Sequence, residues 1–128
     1  DEVAGGPVAG RPSAVLRRMW AQLTEPGRRE HQERLFFELY AQALAGRPGT
    51  TGLLDGVVDL SVEVGARALV ALGMAPDAAR AEARLGLAVV RGLLLDLLAT
   101  GDHAGTGAAL DRYAAHLDNL TDAGPVDR

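Results

Sequence analysis

Apolar residues along this chain recur at spacings of three and four, and clusters of Gly, Pro, Thr and Asp separate them. Val15, Leu16, Met19, Trp20 and Leu23 make the first such stripe, with Ser13 as the expected N-cap. Thr24-Glu25-Pro26-Gly27 interrupts it, and Pro26 suits the first turn of a second helix. In that helix Leu35, Phe36, Leu39, Tyr40, Ala43 and Leu44 share a face, and Phe37 widens it. Gly46-Arg47-Pro48-Gly49 ends this segment. A third helix is predicted from a cap at Thr50 or Thr51 through Leu53, Leu54, Val57, Val58, Val62, Leu69 and Leu72 to Gly73. Its valines alone would permit a strand, but about 20 residues without strict alternation exceed the usual strand length.

Ala75-Pro76-Asp77 opens a fourth, alanine-rich helix that runs to Thr100-Gly101. A fifth is expected from Gly105 or Thr106, carrying Leu110, Tyr113, Ala114, Leu117 and Leu120 on one stripe. No strand pattern is left over, so the expected fold class is all-α, a five-helix, bundle-like domain over residues 13–120. Residues 1–12, with Gly5, Gly6, Pro7, Gly10 and Pro12, read as a linker or disordered lead-in, and residues 121–128 as a frayed tail.

The fourth helix differs from the others because it is apolar around most of its circumference. Ala83, Gly86, Ala88 and Gly92 are small; Leu85, Val89, Val90, Leu93, Leu94, Leu95, Leu97 and Leu98 are large. A helix of this kind is buried on all sides, and four short neighbours do not easily enclose it. A second copy of the chain is the expected cover, with Leu85, Ala88, Val89 and Gly92 at the interface and the fifth helix adding Leu110, Tyr113 and Leu117. A charge at Val90 or Leu94 is expected to disrupt such a dimer. The plainer alternative is the central helix of a monomeric bundle.

Length and composition agree with one soluble globular domain: 128 residues, 48% apolar and 23% charged. All 13 basic residues are arginine, against 17 acids. Asp96, Asp102, Asp111, Asp118, Asp122 and Asp127 face only Arg112 and Arg128, so the net charge of −4 resides after residue 95. With no basic excess anywhere, the chain itself is a poor candidate for direct contact with DNA or RNA. The absence of cysteine excludes disulfides and thiolate chemistry, and a reducing cytoplasm is the expected location. Arg91 and Asp96 interrupt the longest apolar run, so no membrane span is expected. The opening Asp-Glu-Val-Ala-Gly-Gly has neither a basic nor an apolar leader region and reads as a fragment boundary.

Catalytic chemistry has little support. Ser13 and Ser61 lie in no nucleophile turn, and His31, His103 and His116 show neither zinc-binding nor carboxylate-bridged spacing, so no metal and no cofactor are expected. Gly105-Thr106-Gly107 has no strand before it, and Leu110 stands where a dinucleotide fingerprint needs a small residue; it reads as a turn. Gly52 and Gly56 are spaced for close helix contact or for capping freedom. Glu63 and Arg91 each interrupt apolar stretches. They are placed as partners of each other or of an effector or, for Glu63, in a routine i,i+4 pair with Arg67; Arg91 belongs either to a pocket or to an interface.

Four of the five aromatic residues, Trp20, Phe36, Phe37 and Tyr40, lie on the first two helices. That concentration fits either core packing or an apolar ligand pocket with the Tyr40 hydroxyl and Trp20 indole N–H as polar handles. In the pocket reading, Met19, Val58 and Val62 add wall and Arg91 adds charge.

Three segments carry a resemblance: Arg34-Leu35-Phe36-Phe37-Glu38-Leu39-Tyr40-Ala41-Gln42-Ala43-Leu44, then Ala88 to Asp102 including Arg91-Gly92-Leu93-Leu94-Leu95-Asp96-Leu97-Leu98-Ala99-Thr100-Gly101-Asp102, then Ala109-Leu110-Asp111-Arg112-Tyr113. In this order they resemble the C-terminal regulatory domain of the tetracycline-repressor (TetR) family of transcriptional regulators, over about Ser13 to Leu120. The resemblance implies that the last two helices pair with a second subunit's as a four-helix bundle, while the others surround a pocket for a small apolar or amphipathic effector. It also implies operator binding through an N-terminal helix-turn-helix domain, which has no counterpart before Ser13. The rival expectations are a helical protein-interaction module without ligand and a small α-helical enzyme.

Overall fold

A computed structural model of the chain describes residues 11–26, 28–50, 52 and 56–122. They form five helices: α1 (Pro12–Leu23), α2 (Arg28–Leu44), α3 (Val57–Ala71), α4 (Pro76–Thr100) and α5 (His103–Asp122), with no strand among the described residues. The all-α expectation is met. Residues 1–10 of the expected linker and 123–128 of the expected tail fall outside the described residues, as do Thr51, Leu53 and Leu54. Thr121 and Asp122, expected in the frayed tail, instead continue α5, with the Thr121 hydroxyl donating to Leu117 O at 3.3 Å.

Several ends differ from the sequence expectation for physical reasons. Pro12 occupies the first position of α1, and Arg11, not Ser13, stands at its N-cap. Ser13 is buried, and its backbone N–H donates to Asp118 Oδ1 at 3.1 Å. The free amides at the start of α1 thus find their acceptor on α5 rather than in a local cap. Pro26 lies in the turn before α2, not inside it. Thr50 closes that helix's exit turn by donating its hydroxyl to Arg47 O at 2.6 Å, so it does not cap α3. α3 begins later than expected, after Gly56 at φ +77. Gly52 and Gly56 both have positive φ and lie before α3, which makes them turn residues and not a helix-contact motif.

α5 begins two residues earlier than Gly105. Asp102 caps it, its Oδ1 accepting the Gly105 N–H at 2.8 Å, and the Gly105-Thr106-Gly107 segment is helical rather than a turn. α4 matches its sequence bounds: Pro76 at the first turn, and Gly101 at φ +72 returning its N–H to Leu97 O.

α4 organises the molecule. Its 25 residues span about 37 Å at 1.5 Å per residue, long enough to serve two separate cores. The first half packs on α3 around Ala66, Leu69 and Ala79, with Met74 and Ala83 beside them. Gly65 allows this close approach, since a Cβ there would sit 3.1 Å from Ala83 Cβ. The second half packs on α1 and α5 around Leu16, Val90, Leu94, Leu110, Ala114 and Leu117, flanked by Trp20, Leu23, Phe37, Leu93 and Tyr113. α2 lies more lightly across α1 and α4.

Candidate functional site

Two neighbourhoods answer to the expected site residues. The first lies where α2 crosses α4. Spacing of one and four residues puts Phe36, Phe37 and Tyr40 on adjoining faces of α2, with Phe36 edge-on to Phe37 at 5.5 Å and to Tyr40 at 5.7 Å between ring centroids. Arg91 reaches Phe36 and Tyr40 from α4. Its guanidinium carbon lies 5.4 Å from the Phe36 centroid and 5.0 Å from that of Tyr40, and Nη1 donates to the Tyr40 hydroxyl at 3.4 Å. Both rings present π faces to the cation, an attraction that grows as water is removed.

The other expected pocket residues are elsewhere. Trp20 and Phe37 pack against the α1–α4–α5 core. Met19 is exposed on α1. Val62 is buried at 2% and Val58 half-buried on α3, which contacts α2 at most marginally. A cleft of about 80 Å³ opens between the α1–α2 turn and the C-terminal end of α4, lined by Leu23, Pro26, Glu33, Leu98 and His103 among others. A shallow groove of about 230 Å³ runs between α3 and α4 over Ala66, Val70 and Pro76. None of the expected ligand residues lines either one, and both are smaller than the ~300 Å³ typical of drug-sized ligand pockets.

Glu63, at the rim of that groove, pairs with Arg80 across the helices and with Arg67 at 3.9 Å, so its partners are these two and not Arg91. Arg84 similarly reaches Asp59 at 3.9 Å. Of the three arginines on α4, Arg80 and Arg84 have carboxylates; Arg91 has aromatic rings and a phenol instead.

The second neighbourhood is the outer face of α4. Ala81, Leu85, Ala88, Gly92, Leu95 and Ala99 fall at alternating intervals of four and three, and all are exposed, Leu85 at 47% and Leu95 at 53%. They lie opposite the face that carries Val90, Leu94 and Leu97 into the core. Of the expected interface set, Leu85, Ala88 and Gly92 belong to this stripe and Val89 is half-buried at its flank. Leu110 and Leu117 do not belong: at 2% and 8% exposure they fill the intrachain core. The same correction applies to Val90 and Leu94, where a charge would disrupt the fold itself. Ala81, Leu95 and Ala99 extend the stripe beyond the expected interface set, and the heptad spacing that finds them is present in the sequence.

Tyr113, also expected at the interface, lies over Gly86, where a Cβ would sit 3.0 Å from the phenol oxygen. Its hydroxyl donates to Glu82 Oε2 at 3.2 Å, and His116 Nε2 lies 3.3 Å from the same oxygen. Burial, then the Glu82 charge and the hydrogen bond to it, push the phenol far above its ordinary value, so Tyr113 remains a neutral donor. His103 is exposed at the start of α5, and the His31 side chain lies outside the described residues. No group of three or more His, Cys, Asp or Glu side chains able to hold a metal ion occurs among the described residues, and no described helix is long and apolar enough to cross a membrane. No family model matches the chain, and neither the curated proteins nor the solved structures yield a similar one.

Proposed function

We propose that this chain is the effector-sensing and homodimerising domain of a TetR-type, cytoplasmic transcriptional regulator, whose DNA contact belongs to a separate N-terminal helix-turn-helix domain. The observation that carries the reading is the exposed stripe on α4. It is self-complementary about Val90: in an antiparallel pair, Ala81 meets Ala99, Leu85 meets Leu95 and Ala88 meets Gly92. Small residues at four of the six positions let the two backbones approach closely. The ligand contact in this reading is the crossing of α2 and α4 at Phe36, Tyr40 and Arg91, and ligand binding acts by favouring one of two relative arrangements of these helices.

Light scattering at micromolar concentration tests the dimer, and a thermal-shift screen of apolar and amphipathic metabolites on the same sample tests the sensor. A dimer whose melting temperature rises with some of these compounds, and less so in Tyr40→Ala, is the expected result. A monomer without response would remove the proposal. The second reading, a helical interaction module without ligand, draws support from the small volumes of the two clefts. A dimer that responds to no compound would favour it.

A further inference from the structure

Arg91 is placed unlike the other arginines of α4. It is half-buried, and among the described residues no carboxylate reaches it and its one hydrogen bond is the 3.4 Å contact with the Tyr40 hydroxyl. A guanidinium has five N–H donors in a rigid planar fork. The π faces of Phe36 and Tyr40 hold the plane in place but accept none of those protons in the way that an oxygen does. A partly desolvated cation whose donors lack acceptors is costly unless an anion completes it.

The surroundings restrict what that anion can be. Phe36 and Tyr40 supply an aromatic wall, and Leu39 adds exposed apolar surface on the same helix. One guanidinium balances one negative charge, and the chain's net charge of −4 opposes anions of higher charge. A planar carboxylate matches the fork with two parallel hydrogen bonds.

We propose, resting on the sensor reading above, that Arg91 is the anion-receiving group of the effector site and that the effector is an organic monocarboxylate with an apolar body. The guanidinium fork takes the carboxylate, and Phe36 and Tyr40 hold the fork in place and contact the apolar body. Tyr40 has two roles, a ring beneath the cation and a hydroxyl beside the carboxylate.

The test compares each acid with its neutral alcohol: decanoate against 1-decanol, and 3-phenylpropionate against 3-phenylpropanol, all below micelle-forming concentrations. Binding is followed by calorimetry and by the fluorescence of Trp20, the chain's one tryptophan. The wild-type chain should prefer the acid of at least one pair by about tenfold or more, the scale of a charge-assisted hydrogen-bonded pair. Arg91→Gln should abolish that preference by lowering the acid's affinity to that of the alcohol, and Arg91→Lys should fall between, because an ammonium lacks the fork. Circular dichroism melts verify that each variant is folded.

Equal binding of acid and alcohol by the wild type would overturn the carboxylate proposal and leave the sensor reading standing. Binding of neither member of either pair would count against both. Full acid preference in Arg91→Gln would overturn the role of Arg91.

Discussion

Asp118 joins two helices that are far apart in sequence. Its Oδ1 accepts the Ser13 N–H at 3.1 Å and its Oδ2 lies 3.3 Å from Arg11, so one carboxylate on α5 holds the start of α1. Burial alone would raise its pKa, but the hydrogen bonds from Ser13 and the Arg11 guanidinium outweigh this and bring it below the ordinary 3.8. A depressed carboxyl contributes stability that is present above the unfolded value and is lost as pH falls through the folded one. Asp118→Asn should therefore cost about 1 kcal/mol near neutrality. The gap between variant and wild type should narrow once the pH drops below about 4, as urea titrations at pH 7 and pH 3 would show. Tyr113 acts at the opposite limit. With its pKa raised above 10.0, its stabilisation is complete below that pH and fades as the pH rises beyond it. Tyr113→Phe should be less stable near neutrality for want of the Glu82 hydrogen bond, yet its melting temperature should fall less than the wild type's between pH 9 and 11.

Helix number, type and the bounds of α4 were legible in the sequence because the three-four periodicity and the Pro and Gly punctuation agree there. Starts were less legible where the capping group is remote: nothing near Ser13 announces that Asp118 serves the amides of α1 from over a hundred residues away. Arg91 and the Phe36–Tyr40 pair were readable as candidates because a charge interrupts an apolar run opposite an aromatic cluster. That Met19, Val58 and Val62 do not join them depends on how α3 docks, which periodicity does not specify. The docking of α3 turns on Gly65. Gly65→Val would force its side chain against Ala83, where even a bare Cβ would sit only 3.1 Å from the alanine's own. The expected cost is about 1–3 kcal/mol, typical of overpacking, read as a lower urea midpoint with an unchanged slope.

For the whole molecule, the two faces of α4 separate the contribution of the fold from that of the proposed pairing of copies. Leu94 is 4% exposed and belongs to the core; Leu85 and Leu95 lie on the opposite face, open to solvent in a single chain. If the stripe pairs two copies, folding is coupled to association, and the melting temperature rises with protein concentration. Leu94→Ala deletes buried methyl groups and should lower stability by about 2–5 kcal/mol, so its melting temperature drops at every concentration while the concentration dependence survives. Leu85→Glu/Leu95→Glu leaves the core untouched but brings like charges together in an apolar seam, because each glutamate meets the other in the opposite copy. If the proposed pair exists, that variant should remain helical, scatter light as a monomer and melt at one temperature across a hundredfold range of concentration. A concentration-dependent melt that persists in the double glutamate variant would place the contact between copies on another face, and α4 would then be only the central helix of this bundle.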